Sequence, residues 1–183
     1  MWLDAQLTSP YALWQYLLNV DDRDAGAYLR LLTFVGRAEV EALDTQTAEQ
    51  PHARRAQRRL ADEVVALVHG PEEVVRVRAA SAALFGGGAL EDLDEPTLAS
   101  ALAEAPSVQV AGDVPTVVDL LAEGLALSKS DARRAVREGG AYLNNVRVTD
   151  EAAVPADADW LHGRFLVLRR GKRSMAVVER VRS

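Results

Sequence analysis

The stretch that decides the fold of the C-terminal half runs from Leu120 to Asp150 and reads LLAEGLALSKSDARRAVREGGAYLNNVRVTD. Ser128 is a favourable N-cap residue for a helix that begins beside it. Three cations then recur every four residues along one stripe of that helix: Lys129, Arg133 and Arg137. Gly139-Gly140 favours a helix end, and Asn144-Asn145 between two short apolar runs favours a turn with positive φ. The stretch therefore predicts a short basic helix followed by a tight hairpin.

Length and composition are those of an ordinary globular chain. Of its 183 residues, 49% are hydrophobic and 26% are charged, and no window approaches the apolar length of a membrane-spanning helix. The first residues lack the basic and apolar regions of a secretory signal. The absence of cysteine excludes disulfides and thiolate metal sites. We therefore expect a soluble, cytoplasmic protein that does not contact a membrane.

The net charge of −6 hides an asymmetry between the two halves of the chain. Residues 1–105 carry 17 acidic and nine basic side chains, a net charge of −8, whereas residues 106–183 carry ten acidic and 12 basic ones, a net charge of +2. Residues 164–183 contain seven basic side chains against the single Glu179. The cationic end favours an anionic partner such as nucleic acid, although the whole chain is acidic.

Apolar spacing and helix breakers predict two domains and a fold that is mainly α. Residues 1–105 show one helical periodicity after another and no period-2 strand, which predicts an all-helical domain. Residues 106–112 are predicted as a linker because the charge balance and the periodicity both change there. Residues 113–183 are predicted as a small α+β module that contains the basic helix and hairpins.

Local signals also predict where individual elements begin and end. Ser9 caps the first helix, and Asp21 or Asp22 caps a second that runs to Gly36 with Leu31 and Phe34 turned inward. In the second domain, Asp113 is expected to cap the helix before the basic one. Five aromatic residues are expected in cores: Trp2, Trp14, Phe34, Phe85 and Trp160.

Two clusters of cations, on the basic helix and on the predicted turn at residues 169–173, are the strongest functional candidates. Paired guanidinium groups can hold phosphate oxygens bidentately, and we expect no neighbouring carboxylates to neutralise them. The hairpin between them could contact sugar or base edges. The candidate RNA-binding residues are Lys129, Arg133, Arg134, Arg137, Asn144, Arg147, Arg169, Arg170, Lys172 and Arg173.

Each of these candidates has a structural alternative. A solvated basic helix face and a polar hairpin turn are both common in proteins that bind no RNA. Asn144 is equally well explained as a residue chosen for its backbone geometry. The sequence leaves these alternatives open.

The acidic cluster Asp21-Asp22-Arg23-Asp24 admits three interpretations: metal ligands, helix caps, or acceptors for the edge of a base. The capping interpretation is favoured because the cluster stands at a predicted helix start. The three histidines share no metal-ligand spacing, and Gly86-Gly87-Gly88 lacks the lysine and hydroxyl residue of a phosphate-binding loop. We predict no catalytic residue and no metal site in this chain.

Several separated segments carry a family resemblance. In chain order they are Trp2-Leu3-Asp4, Thr8-Ser9-Pro10-Tyr11, Asp21-Asp22-Arg23-Asp24, Leu32-Thr33-Phe34, Ala61-Asp62-Glu63-Val64, Leu67-Val68-His69-Gly70, Ala83-Leu84-Phe85 and Gly112-Asp113-Val114-Pro115. Together they resemble the C-terminal half of bacterial tyrosine tRNA ligases. Residues 113–183 resemble that family's terminal RNA-binding module, the type named after ribosomal small-subunit protein four.

The resemblance implies that the chain binds tRNA(Tyr). The helical domain would meet the anticodon, where Asp21 would read a base, and the terminal module would lie between the anticodon stem and the long variable arm. Basic positions of the family's module are matched by Lys129, Arg133, Arg169, Arg170, Lys172 and Arg173. Ser130 and Arg134 depart from the family's charge pattern.

The family's catalytic domain has no counterpart in a chain that starts at Met1-Trp2. We therefore expect no adenylate-forming site, no aminoacylation by this chain alone, and no ATP or magnesium, which belong to that domain. The dimer interface lies there too, so a monomer is expected. Two alternatives remain: a free-standing RNA-binding or ribosome-associated protein that uses the same module, and an appendage to a separate catalytic chain.

Overall fold

The computed structural model describes residues 2–85, 88–171 and 174–181. The chain divides into two compact units, residues 1–78 and 79–183, and the division falls within the fifth helix. No helix in the described ranges has both the length and the apolar character needed to cross a membrane.

Every regular element in the described part of the first unit is helical. The bounds are α1 Pro10–Leu18, α2 Asp22–Leu32, α3 Arg37–Glu49, a 3-10 turn Pro51–Ala53, α4 Arg55–His69 and the first part of α5 Pro71–Phe85. The predicted caps are confirmed: Ser9 Oγ accepts from the backbone N–H of Ala12 at 3.1 Å, and Asp21 Oδ1 accepts from that of Arg23 at 3.1 Å. Local side-chain chemistry thus fixes the starts of α1 and α2.

Helix α4 is central to the first unit, since α1, α2 and α3 all pack against it. Its buried face includes a carboxylate, Asp62, which is only 6% exposed. The Trp14 indole Nε1–H of α1 donates to Asp62 Oδ1 at 2.9 Å, and Arg78 Nε of α5 donates to the same oxygen at 2.9 Å. A buried charge is tolerated when its oxygens are bonded in this way, and here it ties three helices together.

The second helix ends earlier than the sequence predicts. The backbone is extended at Thr33, so α2 ends at Leu32, and the Thr33 hydroxyl donates to the carbonyl of Leu29 in the last turn at 2.6 Å. Leu29 is fully buried, and Leu31, about 200° further round the helix, is 77% exposed. Phe34 follows the helix and is 88% exposed, so the inward placement predicted for Leu31 and Phe34 is wrong.

The other predicted core aromatics divide in a similar way. Trp14 and Trp160 are buried as predicted. Trp2, which precedes the first helix, and Phe85, the last residue of α5, are exposed. The predicted core placement is therefore confirmed for Trp14 and Trp160 and wrong for Trp2 and Phe85.

The second unit contains helices and a mixed five-stranded sheet. After the end of α5 come α6 Glu95–Leu102, β1 Ser107–Val110, α7 Val117–Gly124, α8 Lys129–Arg137, β2 Ala141–Leu143, β3 Val146–Arg147, a 3-10 turn Asp157–Asp159, β4 Phe165–Arg170 and β5 Ser174–Arg180. The strand order is β1-β5-β4-β2-β3, with β1 parallel to β5 and the other pairs antiparallel. The predicted basic helix, hairpin and final strand pair are confirmed.

Two local predictions for this unit differ from the structure. The segment predicted as a linker contains β1, in which Val108 and Val110 alternate inward and pair with the distant strand β5. Helix α7 is capped by Thr116, whose Oγ1 accepts from the N–H of Asp119 at 3.2 Å, and not by Asp113. Pro115 disfavours helical geometry at Val114, so a helix cannot follow directly after Asp113.

Helices α7 and α8 cover one face of the sheet with a continuous apolar core. Leu120 and Leu121 of α7 and Ala132 and Val136 of α8 are buried there. Helix α7 can approach closely because a Cβ at Gly124 would stand 2.9 Å from the Cβ of Ala176. This packing directs the polar stripes of α8 to the surface.

Candidate nucleic-acid interface

Helix α8 presents its cations as the sequence predicts. Ser128 Oγ caps it by accepting from the N–H of Asp131 at 3.0 Å. Ala132, Ala135 and Val136 are buried, whereas the four basic side chains of the helix are exposed. The helix is therefore anchored by its alanine face and offers its cations to solvent.

The expectation that carboxylates are absent from this surface is wrong. Lys129 Nζ lies 2.7 Å from Asp119 Oδ1 of α7, and Arg134 Nη2 lies 2.6 Å from Asp131 Oδ1. The hydrogen bond from Lys129, with a second from Thr116, holds the pKa of Asp119 below its usual range. Both cations therefore have a carboxylate partner inside the fold.

A third carboxylate serves the other two cations of α8. Glu151, in the turn after β3, places Oε1 at 3.2 Å from Arg137 Nε and Oε2 at 3.9 Å from Arg133 Nε. All three side chains are well exposed, between 39% and 68%. Each of the four predicted α8 cations is thus paired with an acidic group, although the pairs are open to solvent.

The cations on the sheet surround an aromatic ring. Tyr142 of β2 lies opposite Arg147 of β3 and Arg169 of β4, whose guanidinium carbons stand 5.9 and 5.3 Å from the ring centroid. Arg169 Nη1 also donates to the carbonyl of Leu84 at 3.2 Å, in the last turn of α5. A cation is favourable at a helix C-terminus, so Arg169 has a structural role in addition to its predicted RNA contact.

Arg170 points to the opposite face of the sheet, towards α8. It forms no ion pair among the residues that the structure describes. The hydrogen bond from Ser128 lowers the pKa of Asp131, and the charges of Arg134 and Arg170 contribute to the same shift. Arg170 also lines a groove of about 470 Å³ together with Leu125, Leu127 and Met175. Lys172 and Arg173, the remaining predicted cations of this turn, lie outside the described residues.

The Asn144-Asn145 turn has the predicted positive φ angles, 46° and 67°. Asn144 Oδ1 accepts from the N–H of Val167 at 2.8 Å, and its Nδ2 donates to the carbonyl of Asp159 at 2.5 Å. Both ends of the Asn144 amide are therefore hydrogen-bonded to backbone groups of the fold. The RNA contact predicted for Asn144 stays a prediction.

Asn145 is a residue whose role the sequence did not reveal. Its Nδ2 donates to the carbonyls of Ala83 and Gly88, at 2.7 and 3.0 Å, and so holds the end of α5 against the hairpin. The partners are more than 50 residues away in sequence, so no local pattern could indicate them.

In the first unit, Asp21 borders a separate groove of about 270 Å³. Tyr16, Asp24 and Tyr28 also line it, and the Asp21 carboxylate is 53% exposed while it caps α2. Gln57, which is fully buried, donates to the carbonyl of Val20 at 3.3 Å and so fixes the backbone beside the groove. Among the described residues, no group of three or more His, Cys, Asp or Glu could hold a metal ion.

Comparison with known proteins gives two family matches that together cover most of the chain. Residues 97–178 match the model described as the tyrosine–tRNA ligase SYY-like C-terminal domain. Residues 1–86 match the model of class I tRNA synthetases of the W and Y type.

Curated relatives match along almost the whole chain. A tyrosine–tRNA ligase of Streptomyces coelicolor is 60% identical over 180 residues, which is 98% of this chain and 42% of the relative. That of Thermobifida fusca is 54% identical over 182 residues, 97% of this chain and 42% of the relative. Among solved structures, a C-terminally truncated mitochondrial tyrosyl-tRNA synthetase of Aspergillus nidulans matches 42% of this chain and 23% of its own, with 34% identity and a TM-score of 0.41. The chain thus spans less than half the length of the curated relatives it matches.

Proposed function

Because this chain belongs to the tyrosine–tRNA ligase family and corresponds to the C-terminal part of its relatives, we propose that it is the tRNA-binding portion of such a ligase. Its RNA partner is then tRNA(Tyr). Tyrosine activation, with its ATP and magnesium, belongs to a catalytic domain of the ligase and not to these 183 residues. The chain acts in the cytoplasm, as a monomer when it is alone.

One observation carries the proposal: the basic helix and the basic strand end meet on one surface of the second unit. Arg134 of α8 is ion-paired with Asp131 at 2.6 Å, and Arg170 of β4 lines the groove formed by Leu125 and Leu127, just before α8, although 36 positions separate the two arginines in sequence. A surface that gathers cations from two elements can follow consecutive phosphates of an RNA backbone. This supports the second unit as the part that binds the tRNA stem and arm.

The first unit supplies a different kind of contact. The exposed carboxylate of Asp21 can accept from the amino or imino edge of an unpaired base, and the rings of Tyr16 and Tyr28 beside it can support stacking. An acidic unit is poorly suited to duplex backbone but can read a single base. In the proposal this groove receives one anticodon nucleotide.

Binding of tRNA(Tyr) by the purified chain tests the proposal. If four or more phosphates are held, the affinity should fall by about 100-fold or more between roughly 50 and 200 mM salt. In competition, tRNA(Tyr) should displace itself better than other tRNAs and better than a ribosomal RNA fragment.

Two results would contradict it. Affinity that does not depend on salt would rule out the phosphate contacts. A ribosomal RNA fragment that competes as well as tRNA(Tyr) would favour the alternative of a free-standing ribosome-associated protein.

A further inference from the structure

Glu151 lies between two cations of the α8 stripe, Arg133 and Arg137. Its two oxygens lie 3.2 Å from Arg137 Nε and 3.9 Å from Arg133 Nε, so one carboxylate addresses two cations of the α8 stripe. A phosphate group that bridged the same two arginines would take the position that the carboxylate holds between them. The carboxylate and a bridging phosphate therefore compete for the two guanidinium groups.

The fold presets this carboxylate. Glu151 belongs to the turn after β3 and not to helix α8. A hydrogen bond from the N–H of Ala152 to Asp150 Oδ1, at 2.8 Å, holds this turn. The next residue, Ala153, accepts from the N–H of Val117 at the start of α7 at 2.8 Å. The turn is thus fastened to the helix that packs beside α8, and Glu151 stays near the arginines without any RNA.

The pairs contribute little to the stability of the fold. Exposed ion pairs are typically weak, and Arg133 and Arg137 are 56% and 68% exposed. Replacing Glu151 should therefore leave folding intact, while it removes a negative charge from the path of the phosphates. Because Glu151 contributes little to stability but lies beside two cations, its charge can adjust RNA affinity without a cost to the fold.

We propose that Glu151 is a specificity-determining residue that competes with RNA phosphates for Arg133 and Arg137 and so limits binding to RNA backbone in general. The inference rests on the proposed function. Backbone contacts carry no sequence information, so an unrestrained basic helix would bind any RNA. With Glu151 in place, an RNA makes up for the two ion pairs it displaces only if it brings phosphate to both Arg133 and Arg137. The competition therefore weakens most those complexes that bring phosphate to only one of the two arginines.

The test compares Glu151→Gln with the wild-type chain in binding to tRNA(Tyr) and to an unrelated double-stranded RNA over a salt series. The amide keeps the size of the side chain and removes its charge. We expect the affinity for the unrelated RNA to rise about threefold to tenfold, and its salt slope to steepen by about 1 to 2. The affinity for tRNA(Tyr) should rise less.

Glu138→Gln is the matched control, because Glu138 is exposed, follows Arg137 directly and has no ion pair among the described residues. It removes the same charge and should change the affinity by less than about twofold. In an Arg137→Gln background, Glu151→Gln should lose much of its effect, since one of the two freed cations is gone.

The inference is overturned if Glu151→Gln leaves affinity and slope unchanged, or if Glu138→Gln gives the same increase, which would reduce the effect to net charge. An equal or larger gain for tRNA(Tyr) would also overturn it as a specificity device. Failure of the proposed function is separate, because it would show as absent tRNA binding by the wild-type chain in the same series.

Discussion

Substitution of Asn144 can distinguish a structural role of this residue from a role in RNA binding. Strand pairing between β2 and β4 ends at Leu143 and Leu168, and Asn144 then exchanges two hydrogen bonds with Val167: its N–H donates to the Val167 carbonyl, and its Oδ1 accepts from the Val167 N–H, each at 2.8 Å. The side-chain amide thus replaces a backbone carbonyl and extends the ladder past the turn. Asn144→Ala removes that acceptor while leaving the backbone in place.

The expected loss can be worked out from the geometry. Val167 is fully buried, and a buried N–H without an acceptor costs about 1 to 3 kcal/mol. Loss of the bond to the Asp159 carbonyl adds about 1 kcal/mol, and alanine at a φ of 46° adds about another 1 kcal/mol. We expect Asn144→Ala to destabilise the second unit by about 3 to 5 kcal/mol. Asn144→Gly, which tolerates the positive φ, should cost about 1 kcal/mol less.

Amide hydrogen exchange of β4 measures this directly in the full chain. A loss of 3 kcal/mol accelerates the slowest β4 amides by about 100-fold, and the Val167 amide should be among the most affected. Under conditions where the variant is folded, its affinity for tRNA(Tyr) should stay within about twofold of wild type. A variant with unchanged β4 exchange but tenfold weaker tRNA binding would refute the reasoning and make Asn144 an RNA contact.

Two further predictions concern single charged residues. Arg170→Ala should weaken tRNA(Tyr) binding by about 1 kcal/mol or more and flatten the salt slope by about 1, without changing thermal stability. Arg169→Ala should instead lower stability by about 1 kcal/mol, because it removes the hydrogen bond to the Leu84 carbonyl and the cation–π contact with Tyr142. These separate roles would be contradicted if Arg169→Ala weakened tRNA binding and Arg170→Ala lowered the melting temperature. Asp21→Asn retains a capping side chain, but it should bind tRNA(Tyr) about tenfold more weakly. Its affinity for a tRNA of altered anticodon should change little. If both tRNAs lost the same affinity, Asp21 would not be a base-reading residue.

The sequence predicts those elements whose signals are local. Ser9, Asp21 and Ser128 each accept from a backbone N–H within three residues, so the starts of α1, α2 and α8 could be predicted from residue types alone. Strand β1 has only four residues and pairs with β5 about 70 positions away, which leaves almost no local period. The early end of α2 comes from the extended backbone at Thr33, which no glycine or proline at that position signals in the sequence.

The candidate interface shows the same limit in its electrostatics. The positions of the cations on α8 follow from a spacing of four residues, but two of the three carboxylates that pair with them, Asp119 and Glu151, come from other elements. Only the pair between Arg134 and Asp131 is local. A count of charge along the chain assigns α8 more free positive charge than the folded surface has.

This redistribution changes which residues should dominate binding. A phosphate that approaches Lys129, Arg133 or Arg137 exchanges one anionic partner for another, so its gain is the difference between two weak pairs. A phosphate that approaches Arg170 displaces no ion pair among the described residues, and Arg170 is a partly buried residue that lines a largely apolar groove. Lower local dielectric strengthens such a contact. Affinity should therefore depend more on the end of β4 than on the helix with the larger number of basic residues, while the helix and its carboxylates decide how much other RNA is tolerated.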